Sequence, residues 1–183
     1  KICKWCDESG VFVTGVIKGA SGSVEVAEDM VSGGVKIIAS SRMEQLERCK
    51  DAGISVPLML IRVPMISEAA RMIDACEYSL NSELATLEAI NRAVIEKSAK
   101  KHKVILMADL GDLREGFFES KELIETACIV ENELEGIELA GIGTNLGCYG
   151  SIVPTDDKLQ QLVSLADGVE KAIGRKLDII SGG

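Results

Sequence analysis

The residue with the most chemistry in this sequence is a lysine at the end of a short apolar run. Lys18 follows Val16 and Ile17. A lysine whose stem is enclosed by apolar neighbours can lose proton affinity and attack a carbonyl carbon, forming a Schiff base. The same position equally suits a lysine that terminates a strand and carries its ammonium out to water. Four further groups stand where strands should end. Asp109 to Gly116 reads DLGDLREG, with Gly111 and Gly116 permitting a tight turn and Arg114 able to reach back over the strand ends. A charged, solvated loop is the competing reading. Thr144-Asn145 closes another apolar run, and Ser79 and Asn81 lie on a shorter one. An asparagine buried there is either a satisfied structural residue or a ligand contact. Ser181-Gly182-Gly183 ends the last run, and its small residues let backbone N–H groups approach an anion, although an ordinary glycine turn reads the same.

The elements that must carry these residues alternate. Apolar, β-branched runs at 11–18, 35–40, 57–63, 78–81, 104–110, 137–146 and 177–180 predict strands. Helices are predicted between them over 24–32, 42–52, 67–74, 82–99, 121–131 and 158–173. Met43, Leu46 and Cys49 give the second of these an apolar stripe. Ser67 is placed as an N-cap and Gly174 as a C-terminal stop. The first residues also read as helix. Short continuous apolar strands joined by helices imply a parallel sheet covered on both faces. The fold class is therefore α/β, either an open doubly wound sheet or a (β/α)8 TIM-type barrel. An open dinucleotide-binding sheet would want G-x-G-x-x-G after its first strand, and Gly19-Ala20-Ser21-Gly22 has the wrong spacing. A barrel usually needs about 250 residues, so on the barrel reading these 183 residues, with about seven strand units, would be one truncated after the seventh strand.

Composition narrows the partners. Hydrophobic residues make up 46% and charged residues 27%, enough for a packed core. Twenty Lys and Arg against 29 Asp and Glu leave a net charge of −9. That disfavours nucleic acid and anionic membrane surfaces, which need clustered cations. Aromatics at 3% argue against base-stacking platforms. The longest apolar stretch, 56–61, is too short to span a bilayer. Cys3 and Cys6 form the one CxxC, without a preceding strand or a second ligand pair. The six cysteines read as thiols packed as small hydrophobes in a cytoplasmic protein, and His102, the one histidine, gives little material for a metal.

Taken in order, VTGVIKGASGS, ASSRMEQLERCKDAGI, PLMLIRVPM, YSLNSE, VILMADLGDLREG, GIELAGIGTNLGCYG and IISGG resemble the alanine-racemase-like, fold-type III pyridoxal-phosphate enzymes. The similarity is greatest to the branch described as ornithine racemases and runs from about Val11 to Gly183. The resemblance implies pyridoxal 5'-phosphate as cofactor, held by Lys18 as an internal aldimine. It implies Arg114 near the cofactor's phenolic oxygen and at the substrate carboxylate. Asn145 falls where alanine racemases place a histidine against the pyridine ring, and Asn81 joins the cofactor-binding set. Ser181, Gly182 and Gly183 would begin the phosphate cradle. Met107 stands where many alanine racemases carry a lysine that can be carbamylated, and Gly22 where they often carry a tyrosine.

The implied activity is racemisation of a small amino acid, with ornithine or another basic one as substrate, in a homodimer of the full-length protein. A non-catalytic carrier of the same cofactor is the alternative. A metal-using aldolase or dehydratase of the superfamily is disfavoured. The eighth strand and the C-terminal β-domain of the family are expected outside this stretch. The 183 residues alone, read as one incomplete barrel domain, are expected to bind cofactor poorly and to be inactive.

Overall fold

The computed structural model describes residues 1–147 and 152–183. Two compact units make up the chain, Lys1–Arg62 with Arg71–Ser79, and Val63–Ala70 with Leu80–Gly183.

The first unit opens with α1 (Ile2–Glu8) and runs through β1 (Thr14–Val16), α2 (Val24–Ser32), β2 (Ile37–Ser40), α3 (Met43–Asp51) and β3 (Leu58–Leu60). It ends on the last residues of α4 (Ala69–Ala75) and the first two of β4 (Tyr78–Asn81). Its strands are parallel neighbours in chain order, with Gly15 opposite Ile38, Ile38 opposite Leu58 and Leu60 opposite Ser79. Every residue of β2 and β3 is buried, as expected of parallel strands covered on both faces. The α3 stripe of Met43, Leu46 and Cys49 packs into this core.

β1 is shorter than the strand predicted over 11–18, and a tight turn follows it. Pairing stops at Val16, because the Ala20 and Gly22 amides both turn back onto the Ile17 carbonyl at 3.0 Å. Lys18 therefore lies beyond the strand, opening a 3-10 turn over Lys18–Ala20. Upstream, the Ile17 amide donates to the Ala39 carbonyl at 3.0 Å, which ties the approach to Lys18 onto β2. Downstream, α3 holds the turn. Arg48 Nη2 donates to the Ser21 carbonyl at 3.0 Å. Gly22, at φ +68°, lies flat against Gln45, and a Cβ there would stand 2.4 Å from Gln45 Cγ. Gln45 is 6% exposed and accepts a 2.5 Å hydrogen bond from Ser40 Oγ at the end of β2. The serine oxygen in turn accepts from the Arg42 amide at 3.2 Å.

The second unit contains α5 (Leu84–Glu96), β5 (His102–Met107), α6 (Ser120–Glu133), β6 (Ile137–Gly143), α7 (Asp156–Ile173) and β7 (Ile179–Ser181). β5, β6 and β7 are again parallel and adjacent in order. The β5–β6 register slips by one residue between Val104 and Ile105, so that Met107 meets Gly143 instead of Ile142. Gly141 permits the next contact, since a Cβ there would fall 1.9 Å from the Ile179 carbonyl oxygen. Helix α7 stops at Gly174, in the left-handed conformation at φ +75°. The expected N-cap role of Ser67 is not observed: it lies inside a 3-10 turn over Ile66–Glu68 whose cap is Met65. β1, β3, β5 and β6 stop short of the ends of their predicted runs, where apolar residues continue past the last paired position, while β4 spans its predicted 78–81. Among the described residues no helix is long and apolar enough to cross a membrane. Cys49 and Cys76 are buried thiols, Cys3, Cys6 and Cys128 are partly buried, and Cys148 lies outside the described residues.

Two outcomes follow from this packing. Gly22→Ala introduces a Cβ against Gln45 at a positive φ, and should cost about 2–4 kcal/mol in denaturant unfolding of the full-length polypeptide. A change lost in the measurement error would refute the close packing. In the second unit, Arg175 Nε and Nη2 donate to the two Glu131 carboxylate oxygens at 2.8 and 2.7 Å, linking the end of α7 to α6. The hydrogen bonds from Arg175 hold the Glu131 carboxyl below the usual carboxylate range. A lowered folded value stabilises above the unfolded value of about 4.3 and is lost as pH falls through the folded one. Glu131→Gln should therefore cost about 1 kcal/mol near neutrality, a gap that closes in acid. Melting curves across pH check the sign, and a gap that widens in acid would refute it.

Candidate active site

In the first unit, Lys18 is exposed at one side of a cleft of about 520 Å³. Ser21, Arg42, Glu44, Gln45 and Arg48 line the rest. Three cations thus face one carboxylate. Glu44 is held below the usual carboxylate range by its own backbone amide and by Arg71, whose Nη2 lies 3.1 Å away. The cleft keeps a cationic balance that favours an anionic group, a phosphate or a carboxylate, beside an amine. Sequence reasoning singled out Lys18 but missed Arg42, Gln45 and Arg48. The available signal was Gln45, a polar residue beside the apolar stripe of α3.

In the second unit the carboxyl ends of β5, β6 and β7 are tied together. The Ala108 amide donates to the Gly143 carbonyl at 2.7 Å, and Thr144 Oγ1 donates back to the Ala108 carbonyl at 2.8 Å. The Thr144 amide donates to the Ser181 carbonyl at 2.9 Å. These bonds set Asn145 beside the chain at Gly183, where a Cβ would lie 3.6 Å from the Thr144 carbonyl oxygen and 3.9 Å from Asn145 Cα. Gly183 has φ +110°.

The DLGDLREG loop closes on the same strand ends. Asp109 Oδ1 accepts from the Gly111 and Leu113 amides at 2.8 and 3.1 Å. Gly111 and Gly116 both take positive φ, as their placement in the sequence anticipates. The Phe117 amide then donates to the Met107 carbonyl at 2.8 Å and seals the loop. Arg114 and Asn145 meet through a residue that sequence reasoning passed over. Glu115 Oε1 accepts from Asn145 Nδ2 at 3.1 Å and lies 3.6 Å from Arg114 Nη2. Asn81 is fully buried at the end of β4. The Gly-Cys-Tyr-Gly end of the GIGTNLGCYG motif runs past Gly147 outside the described residues.

Each unit carries donors of a kind that the cofactor implied by the resemblance would take. The first offers the Lys18 amine, which suits an aldehyde. The second offers the Arg114 guanidinium, the Asn145 amide and a backbone free of Cβ atoms at Gly182-Gly183, which suit an anionic oxygen, a heteroaromatic ring and a phosphate in kind.

Comparison with known proteins gives the lineage. The family model for the alanine racemase N-terminal domain matches residues 2–183. The ornithine racemase of Acetoanaerobium sticklandii is 38% identical over 178 residues, covering 97% of this chain and 49% of that protein. The lysine racemase of Thermotoga maritima is 34% identical over 184 residues, covering 100% of this chain and 50% of that protein. The chain spans about half the length of the curated relatives it matches. The solved alanine racemase of Clostridium difficile 630, in complex with cycloserine, superposes with a TM-score of 0.79 at 23% identity, covering 92% of this chain and 46% of that one. That likeness shows the fold, an α/β barrel type, which is one of the two that strand alternation left open and the one that the resemblance implied. With a family match over nearly its whole length, this chain belongs to the alanine racemase N-terminal domain family.

Proposed function

We propose that this chain carries the cofactor-binding residues of a pyridoxal 5'-phosphate-dependent amino-acid racemase acting on ornithine or another basic amino acid. One observation carries the reading: near end-to-end similarity to an ornithine racemase and a lysine racemase, at 38% and 34% identity. The family is one of pyridoxal 5'-phosphate-dependent enzymes. Lys18, Arg114, Asn145, Asn81, Ser181, Gly182 and Gly183 are the proposed cofactor residues, with Lys18 also catalytic.

When bound, the cofactor supplies a conjugated ring that withdraws electrons from the substrate Cα. The protein's part is placement and proton movement. Lys18 would hold the cofactor through its amine, and the same amine would move a proton at one face of Cα. Its backbone is anchored on both sides, by Ala39 and by the turn packed on Gln45, so the side-chain stem starts from a defined position. Arg114 donates paired hydrogen bonds to an anionic oxygen, which suits its planar fork. Gly182 and Gly183 offer backbone N–H groups to a phosphate. Inversion needs a proton at the opposite face of Cα, which one fixed amine does not reach, so a second base serves that face. A cytoplasmic homodimer accompanies this reading on the strength of the family resemblance.

Lys18→Ala in the full-length protein should abolish both the visible absorbance of bound cofactor and the conversion of L- to D-ornithine. Absorbance spectroscopy and chiral chromatography check the two. Retention of either refutes the assignment of Lys18. A wild-type protein that binds the cofactor yet leaves ornithine, lysine and alanine unracemised would make it a carrier and refute the racemase reading.

A further inference from the structure

Glu115 is a polar residue of the second unit that the functional reading leaves without a role. It sits in a loop with little freedom. The Asp109 amide donates to the Phe117 carbonyl at 3.0 Å, and the Phe117 amide donates to the Met107 carbonyl at 2.8 Å. The loop is drawn so tight that a Cβ on Gly116 would lie 2.5 Å from the Asp109 nitrogen. The Glu115 side chain is consequently 11% exposed, on a loop whose neighbouring Leu113 and Phe118 are exposed. A carboxylate loses hydration there, and it is held by what it touches.

Its Oε1 touches two residues, Asn145 through Nδ2 at 3.1 Å and Arg114 through Nη2 at 3.6 Å. An ionised carboxylate accepts hydrogen bonds and donates none. The end of the Asn145 amide turned toward it must therefore be the NH2 end. The Asn145 carbonyl oxygen is then directed elsewhere, as an acceptor for whatever stands against that residue. Near Arg114, the same carboxylate offsets part of a full positive charge without occupying the whole guanidinium fork. Among the described residues, Asp109 and Asp112 on the loop and Lys158 of α7, which donates to the Leu110 carbonyl at 2.6 Å, are further charged groups of the neighbourhood.

We propose that Glu115 is a positioning residue for the cofactor. It fixes the orientation of the Asn145 amide, which serves cofactor retention, and it tempers the charge of Arg114, through which it sets the protonation of the bound cofactor. The proposal rests on the reading that Arg114 and Asn145 serve pyridoxal 5'-phosphate. It separates into two parts. Glu115→Gln keeps an acceptor for Asn145 but removes the charge. Glu115→Ala removes both.

The test uses the full-length protein loaded with pyridoxal 5'-phosphate, with the visible absorbance of the cofactor titrated against pH. Loss of a nearby negative charge disfavours the protonated cofactor. The midpoint should move to lower pH by about one unit in both variants. Equilibrium dialysis should show cofactor retention near the wild-type value for Glu115→Gln and about tenfold weaker for Glu115→Ala. Should Glu115→Ala fail to fold, Asn145→Ala replaces it. Combined with Glu115→Gln, it should leave the midpoint where Glu115→Gln alone puts it, with retention as weak as Asn145→Ala alone. Bound cofactor whose midpoint is unmoved in the folded variants overturns the proposal and leaves the function standing. A wild-type protein that takes up no cofactor overturns both.

Discussion

The structure of the second unit depends on how closely three parallel strands approach at their carboxyl ends. β6 lies against β7 at Gly141 with no room for a side chain. The one-residue slip against β5 then aligns Met107 with Gly143. From that alignment come the bonds joining Ala108, Gly143, Thr144 and Ser181. Parallel strands deliver their C-terminal residues to one side of the sheet, so a polar residue just past each strand end meets its counterparts there. Asn145, the Gly182-Gly183 segment and the loop bearing Arg114 and Glu115 are placed by this backbone geometry, before any side-chain chemistry operates.

The first unit solves a different problem. A lysine proposed to hold a cofactor must be exposed at its tip and immobile at its base. Exposure follows from its place in a turn beyond β1. Immobility follows from backbone bonds to Ile17 on one side and from the seat of Gly22 on Gln45 on the other. Gln45 is itself fixed by Ser40, a residue at the end of the neighbouring strand. A buried glutamine is acceptable because Ser40 gives its carbonyl oxygen a partner. The position of Lys18 is thus a property of two strands and a helix.

Much of this was legible residue by residue. The strand-helix alternation, the buried stripe of α3, the stop at Gly174 and the positive φ of Gly111 and Gly116 all follow from local pattern. Each depends on side-chain periodicity or on a backbone conformation that glycine tolerates best. Element ends were less legible. The run at 11–18 looks like one strand, but only Thr14 to Val16 pair with β2. Ser67 has the chemistry of a cap, yet the helix begins beyond it, because the chain first makes a 3-10 turn. Glu115 was illegible as a site residue. It stands next to an arginine in a polar loop, where a solvated charge is the ordinary outcome.

The amino-acid sequence by itself determined the fold class, the order of the elements and the identities of Lys18, Arg114 and Asn145 as polar groups at strand ends. These are consequences of hydrophobic period and of residue type, both of which are local. The tertiary structure alone decided the register slip at Val104, the closeness of Gly141 to Ile179, the seating of Gly22 on Gln45 and the meeting of Glu115 with Asn145. Each joins residues far apart in the chain by contacts of a few ångströms. Such contacts depend on how strands shift and how backbones approach, and no local pattern encodes them.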